Sequence, residues 1–394
     1  MAGPLEGIRV LDFGRYIAGP YCAMLLADLG ADVVRVERRE GGEDRHVGPV
    51  VPNGEGGLFL NLNRNKRGMT LDLGNPRAKD VLRRAIATTD IVVANLPANV
   101  LRGAGLDYES LRTIRDDIIL VHATAFGSEG AQADRVGFDA VVQAMSGAMG
   151  LTGFAPTPVR SVVSFEDYGT ALHGAVGALA AILERQSTGK GKKVEVSLLA
   201  TGITFMLPYL AEHLLTTVRR TQWGNTSFYA APSDCYHTRD GWIVVPTIGE
   251  WMFSRWAKLM KREDLLEDSR FESDIARANH HSTINEIMSA WCMERTSHEA
   301  LEALHRARIP CGPVHGLEDV LTEPAVRDLD LLRPVDYPTS PRPVPLTRSA
   351  LRLDGEPKDA PRRAPTLGEH TEQVLSEWGF SQVEIRGLRA EEVI

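Results

Sequence analysis

The stretch IRVLDFGRYIAGPYCAMLLADLGADVVRVE, residues 8–37, decides how this chain folds. IRVLDF (8–13) is a short apolar run that ends at Gly14 and reads as a buried strand. Pro20 stands where a helix can begin at its first position, because its ring presets φ and its missing N–H has no helical partner to lose there. YCAMLLADL carries that helix to a stop at Gly30, and DVVRVE (32–37) is the next strand. Two strands joined through one helix must run parallel, with the helix crossing over one face of the sheet.

The same alternation continues outward. MTLDL (69–73) is followed by a helix capped at Asn75 with Pro76 next. DIVVAN (90–95), a helix near Tyr108–Arg115 and DIILVHAT (117–124) come after it. Alternation on this scale predicts an α/β, doubly wound, Rossmann-like large domain. From about residue 139 helices dominate, notably ALHGAVGALAAILERQ (171–186) with Gly189 as its stop. KVEVS (193–197) and a long apolar helix follow. The composition changes near WGNTSFYAAPSD (223–234), and YHTRDGWIVV predicts a hairpin around Asp240-Gly241. The expected division is a large domain over 1–222, completed by 330–394, and a smaller α+β domain over 223–329. Residues 334–365 are proline-rich and read as a strap before the helical segment TLGEHTEQVLSEWGF.

With 394 residues, 43% hydrophobic and 24% charged, the chain can bury a large core. A net charge of -8 with scattered basic residues argues against nucleic acid as a partner. Cys22, Cys235, Cys292 and Cys311 lack the spacing of a zinc or redox motif, so a reducing, cytoplasmic setting is expected and no metal site. No apolar run is read as long enough to span a bilayer, and MAGPLEGIRVLDF does not resemble a leader peptide.

Several stretches carry possible chemistry. DFGRYIAGP (12–20) is a glycine-bearing turn after the first strand, where such folds face ligand phosphates, and Glu37 is placed as a ribose ligand would be. The G-x-G-x-x-G fingerprint is missing, however, and Arg35, Arg38 and Arg39 surround Glu37. Tight packing of strand on helix explains either glycine as well. Arg64, Lys66 and Arg67 precede a strand and suit phosphates, or belong to a solvated loop. In SVVSFEDYGT (161–170), Asp167 is either an N-cap or a nucleophilic carboxylate kept ionised by a helix dipole. His122 reads as a satisfied core residue. No G-x-S-x-G, H-E-x-x-H or G-x-x-x-x-G-K pattern occurs, so the corresponding hydrolase, metalloprotease and triphosphatase readings fall away.

These stretches together resemble the family III CoA-transferases (the CaiB/BaiF group), which include formyl-CoA and carnitine CoA-transferases. The likeness is carried in family order by GIRVLDFGRYIAGPYCAMLLADLGADVVRVE (7–37), GGEDR (41–45), NLNRNKRGMTLDL (61–73), LDYESL (106–111), AFGSEG (125–130), GFDAVVQAMSGAMGLTG (137–153), EDYGTALHGAVGALAAILER (166–185) and LGEHT (367–371). The resemblance implies CoA transfer from an acyl-CoA to a carboxylic acid, with coenzyme A as substrate and no permanently bound cofactor. It also implies an interlocked homodimer.

Carried over residue by residue, the resemblance makes Asp167 the nucleophile and Glu166 an incidental neighbour. It places CoA contacts on Ile17, Ala18, Arg38, Leu71, Asp72, Leu73, Gly74, Asn95, Leu96, Pro97, Gly137, Phe138 and Asp139. The family segment N-F-R-P-G reads NLPAN (95–99) here, and Gly103 replaces its later arginine, which leaves Arg102 as the candidate. Ile17 stands where formyl-CoA transferases carry glutamine, which argues against an oxalate acceptor. Phe138 replaces the histidine base of the racemase branch, and a phenyl ring moves no proton. An acyl-CoA epimerase or a non-catalytic acyl-CoA binder are the alternatives. Arg219 and Arg220 are candidate partners for a second substrate carboxylate, or surface residues.

Overall fold

The structure is a computed structural model that describes residues 3–353 and 361–394. Part of the proline-rich strap, 354–360, lies outside the described residues. Two compact units are present: Met1–Ser146, Val162–Met206 and Ala325–Ile394 form the first, and Gly147–Ser161 with Leu207–Pro324 the second.

In chain order the first unit begins β1 (Arg9–Asp12), α1 (Ala18–Asp28), β2 (Asp32–Glu37), α2 (Gly57–Leu62), β3 (Arg67–Thr70), α3 (Ala78–Ala87) and β4 (Ile91–Ala94). It continues through α4 (Ala98–Ala104), α5 (Tyr108–Ile114), β5 (Ile119–Thr124) and α6 (Asp139–Met145). After α7 (Ala148–Leu151) of the second unit come α8 (Phe165–Thr188), β6 (Lys192–Ser197) and α9 (Leu198–Leu215), the last of which runs on into the second unit. Six strands form one parallel sheet in the order β3-β2-β1-β4-β5-β6. The order reverses between β1 and β4, and the carboxyl ends of strands at such a switch point diverge to leave a crevice.

The central strands β4 and β5 are buried and mostly apolar because both faces are covered. Neighbouring residues divide between the faces: Leu11, Val34, Val92 and Leu120 join Val81, Ile86, Leu111 and Val374 on one side, whereas Val10, Val33, Ile91 and Val121 meet Cys22, Leu26, Ala175 and Ala178 on the other. The small residues of α8 let it lie close on the sheet. A Cβ at Gly177 would sit 2.4 Å from Val194 Cγ1. Gly189 ends α8 in the left-handed conformation (φ 67°) that lacks a Cβ penalty, as expected.

Three expectations are corrected. Helix α1 starts at Ala18, so Pro20 is its third residue, still within the turn whose N–H groups need no helical acceptor. Helix α8 starts at Phe165, which puts Asp167 inside the first turn and leaves Ser164 at the N-cap position. Among the described residues one helix, α9, is long and apolar enough to cross a membrane by length and composition.

In the second unit, β7 (Ser233–His237), β8 (Trp242–Pro246) and β9 (Gly312–Pro313) form an antiparallel sheet, with the first two making the expected hairpin. Its core packs Tyr236, Ile243, Phe253, Trp256, Ile284 and Met288. Arg220 is not free for a substrate carboxylate: it makes two bonds to Glu212 (2.8 and 2.7 Å) and lies against the Trp223, Phe228 and Tyr229 rings.

Candidate active site

A cleft of about 230 Å³ opens in the first unit at the switch point of the sheet. The turn after β1 contributes Arg15, Tyr16 and Ala18, and the segment after β4 contributes Asn95–Ala98. Ala123–Ala125 follow from the end of β5, Ala133–Phe138 from the approach to α6, and Asp167 from the first turn of α8. Segments far apart in sequence converge here because the carboxyl ends of parallel strands all point one way.

The turn after β1 is held by buried polar side chains. Asp12 Oδ1 accepts the Gly14 N–H at 2.7 Å, Arg35 Nη1 donates to Gly14 O at 3.0 Å, and Lys66 Nζ donates to Asp12 Oδ2, Pro20 O and Asn63 Oδ1 at 2.7, 2.8 and 2.9 Å. Asn95 Oδ1 accepts the Arg15 N–H at 2.7 Å while its Nδ2 donates to Arg15 O at 2.8 Å. The ion pairs extend to Arg35–Asp44, Arg45–Glu37 and Arg45–Glu55 at 2.6, 2.7 and 2.5 Å, all buried. Burial pushes the Asp12 carboxyl up, but Lys66 and Arg35 outweigh it and leave it below its ordinary value. Burial takes the Lys66 ammonium down to about 8 against the pull of Asp12. Glycine is required at 14, where a Cβ would lie 2.7 Å from both Asp12 Oδ1 and Pro20 Cδ.

This network corrects the reading of the basic stretch. Lys66 is spent on Asp12, Arg64 on Asp28 at 2.7 Å, and Arg67 on Asp32 and Glu377 at 2.6 and 2.8 Å, so none is left for a ligand phosphate. Glu37 is likewise engaged by Arg35 and Arg45, and the ribose-ligand reading ends there.

The first turn of α8 is the electrostatic opposite. Asp139 Oδ1, at the start of α6, accepts the N–H groups of Glu166 and Asp167 at 3.0 and 3.2 Å, so it performs the capping that Asp167 might have done for itself. Gln143 Nε2 supports Asp139 Oδ2 at 2.5 Å. Glu166 is completely buried, receives the Ser146 hydroxyl at 2.7 Å on Oε1, and leaves Oε2 without a partner. Among the described residues no donor bonds the Asp167 carboxylate. Burial, then Asp139, then Glu166 push its pKa up to about 7, and burial, against the Ser146 bond and with Asp139, brings Glu166 to about 7 as well.

Among the expected site residues the cleft gathers Ala18, Asn95, Leu96, Pro97, Gly137, Phe138 and Asp167. Ile17 packs beside it against Met24 and Leu62, and Asp139 stands behind Asp167 as its cap. The others are elsewhere. Arg38 is exposed and bonds Gly41 O and Glu43, and Leu71 is in the core. Asp72 Oδ1 accepts the Gly74 N–H at 2.9 Å, Leu73 packs on the core, and Arg102 is exposed on α4. The sequence reading missed Arg15, Tyr16 and Arg135 as lining residues, and it treated Glu166 as incidental although it is fully buried. An unusual aromatic between Gly14 and Gly19 was the available signal for Tyr16, whose φ is +57°.

The likeness to known proteins extends over nearly the whole chain. It is 31% identical to succinyl-CoA:glutarate CoA-transferase of Mus musculus, covering 95% of this chain and 86% of that one. It is 30% identical to succinate--glutarate CoA-transferase of Agrobacterium fabrum, covering 95% of each. A CaiB/BaiF family protein from Brucella suis has the same fold, with a TM-score of 0.83 at 28% identity over 96% of this chain and 100% of that one. Residues 5–371 match the family model described as CoA-transferase family III, and the chain belongs to that family of transferases.

Proposed function

We propose that this transferase moves CoA from an acyl-CoA thioester to a carboxylic acid through covalent intermediates on Asp167. The observation that carries the reading is that Asp167 lines the switch-point cleft with, among the described residues, no cation or donor bonded to its carboxylate and a pKa raised to about 7. Poor solvation of that kind raises the basicity of a carboxylate that must attack. In the proposed course an Asp167 oxygen attacks the thioester carbonyl, the C–S bond breaks, and a mixed anhydride forms with CoA thiolate released. The thiolate then attacks the Asp167 carbonyl, giving an aspartyl-CoA thioester and freeing the donor acid. The acceptor carboxylate repeats the two steps in reverse and leaves as its CoA thioester with Asp167 restored. The apolar walls at Ala18, Leu96, Phe138 and Leu198 help to keep water from the anhydride.

The relatives are named for succinyl-CoA and glutarate, so short dicarboxylic acids head the panel of substrates to be tried. The chain is inferred to work as a homodimer, because α8 presents Leu172, Val176 and Leu183 at 48, 63 and 67% exposure along one side. A cytoplasmic setting is inferred from four cysteines that are all unpaired.

The test is trapping. The protein is incubated with acyl-CoA, treated with hydroxylamine and mapped by mass spectrometry. Modification at Asp167, with loss of turnover in Asp167→Ala, is the expected result. Modification at another residue, or full turnover in the variant, rejects the mechanism, and exchange of the substrate α-proton with solvent would favour an epimerase instead.

A further inference from the structure

We infer that Asn95 is a positioning residue of the transfer reaction: it acts through the backbone of the β1–α1 turn, not by touching the thioester. The inference rests on the reading that this cleft binds the acyl-CoA. The Asn95 side chain comes from the loop after β4, and its Oδ1 and Nδ2 are both engaged by the N–H and C=O of Arg15, 80 residues earlier, at 2.7 and 2.8 Å. An amide used in this way reproduces one rung of a strand ladder across the two segments that bracket the switch point.

What that rung holds is a strained residue. Tyr16, the next in the chain, adopts φ +57°, a left-handed conformation that a side-chain-bearing residue keeps only where its surroundings enforce it. Both neighbours of Tyr16 are fixed from outside the turn: Arg15 by Asn95, and Ile17 by packing against Met24 and Leu62. The conformation aims the Tyr16 ring at Phe138, which it meets edge-on at 5.5 Å between centroids. Tyr16, Phe138 and Asp167 all line the cleft. Asn95 thus reaches the substrate through Arg15 and Tyr16, and its close fit is visible at Gly19, where a Cβ would lie 3.2 Å from Asn95 Oδ1.

A double-mutant cycle tests this. KM for the acyl-CoA and kcat are measured for the wild type, Asn95→Ala, Tyr16→Gly and the double variant. Each single change is expected to raise KM roughly tenfold with kcat within about threefold, because the wall moves while Asp167 and its Asp139 cap stay in place. Since both changes release the same turn, the double variant is expected to show no more than about a twentyfold rise. A roughly hundredfold rise, the product of independent effects, would mean that Asn95 contacts the ligand itself, and would overturn the inference.

A pair at the amino end of the sheet, away from the turn, provides the control: Asp117→Asn weakens the contact with Arg115 at 2.6 Å and is expected to lower Tm without changing KM. If KM rises equally there, general loosening explains the result and the inference fails. Should Asn95→Ala not fold, the cycle is run with Asn95→Asp, which keeps the acceptor for the Arg15 N–H. For that variant the KM ratio to wild type is expected to shrink as pH falls toward about 4, the ordinary carboxylate range, because a protonated carboxyl again donates to Arg15 O. A ratio that stays constant with pH would count against the inference. Absence of an Asp167 adduct in the wild type would reject the nucleophile reading alone, since the cycle can still be read as CoA affinity by equilibrium dialysis.

Discussion

Two buried clusters of acids in this molecule, one behind the β1–α1 turn and one at the start of α8, have been given opposite surroundings. In the first, Asp12, Glu37, Asp44 and Glu55 each contact Lys66, Arg35 or Arg45. In the second, Asp139, Glu166 and Asp167 make no ion pair among the described residues, and their bonds come from backbone N–H groups, Ser146 and Gln143. The same desolvation is therefore offset in one place and left standing in the other. The paired cluster holds a turn still, while the unpaired one leaves Asp167 poorly solvated at the cleft. Unpaired buried charge costs stability, and proteins retain it where reactivity needs it.

The comparison can be broken most severely at Asp167. Asp167→Ala is expected to reduce kcat/KM by at least about a thousandfold, as loss of a covalent nucleophile does, measured by CoA transfer between two acids. Next in size is the paired cluster: Asp12→Ala strands Lys66 and releases Gly14, and should cost about 3–5 kcal/mol in chemical denaturation, the range for breaking a buried pair.

The sharpest contrast lies in stability against pH. Because the folded Asp167 binds its proton more tightly than the unfolded chain does, its contribution to stability is lost as pH rises from the ordinary carboxylate range through about 7. Asp167→Asn should therefore raise stability at pH 8 by about 2 kcal/mol after allowance for partial exposure, and change it little at pH 4, as followed by thermal melts at both values. The same protonation should make wild-type kcat/KM fall as pH drops through about 7. That midpoint belongs to the Asp167–Glu166 pair jointly, since both titrate there. The smallest effect is expected at an exposed pair: Arg77→Ala, which removes the contact with Glu391 at 2.8 Å, should change stability by less than about 1 kcal/mol.

The strands of the large sheet were legible because most carry a short run rich in β-branched apolar residues, and the helices because they are bounded by Gly, Pro and polar residues. The site was only half legible. EDYG at 166–169 offers an acid at a helix start, and local sequence cannot separate a cap from a nucleophile. Asp139 takes the capping role from 28 residues away, and the Asp167 side chain lines the cleft instead. NRNKR at 63–67 looks like a phosphate-binding loop until Lys66 meets Asp12 across 54 residues. Glu166 looked incidental beside Asp167 because burial is a property of what surrounds a residue, here α6 and Gly202, whose missing side chain leaves room for it.

The sequence by itself determined the alternation of strands and helices, the parallel sheet that follows from it, and the family, because periodicity and motif order are properties of the linear chain. Which charges cancel and which stay exposed to the reaction was decided by the tertiary structure alone. Electrostatic energy depends on distance and burial, and both are fixed only when segments many residues apart are brought together around the switch point.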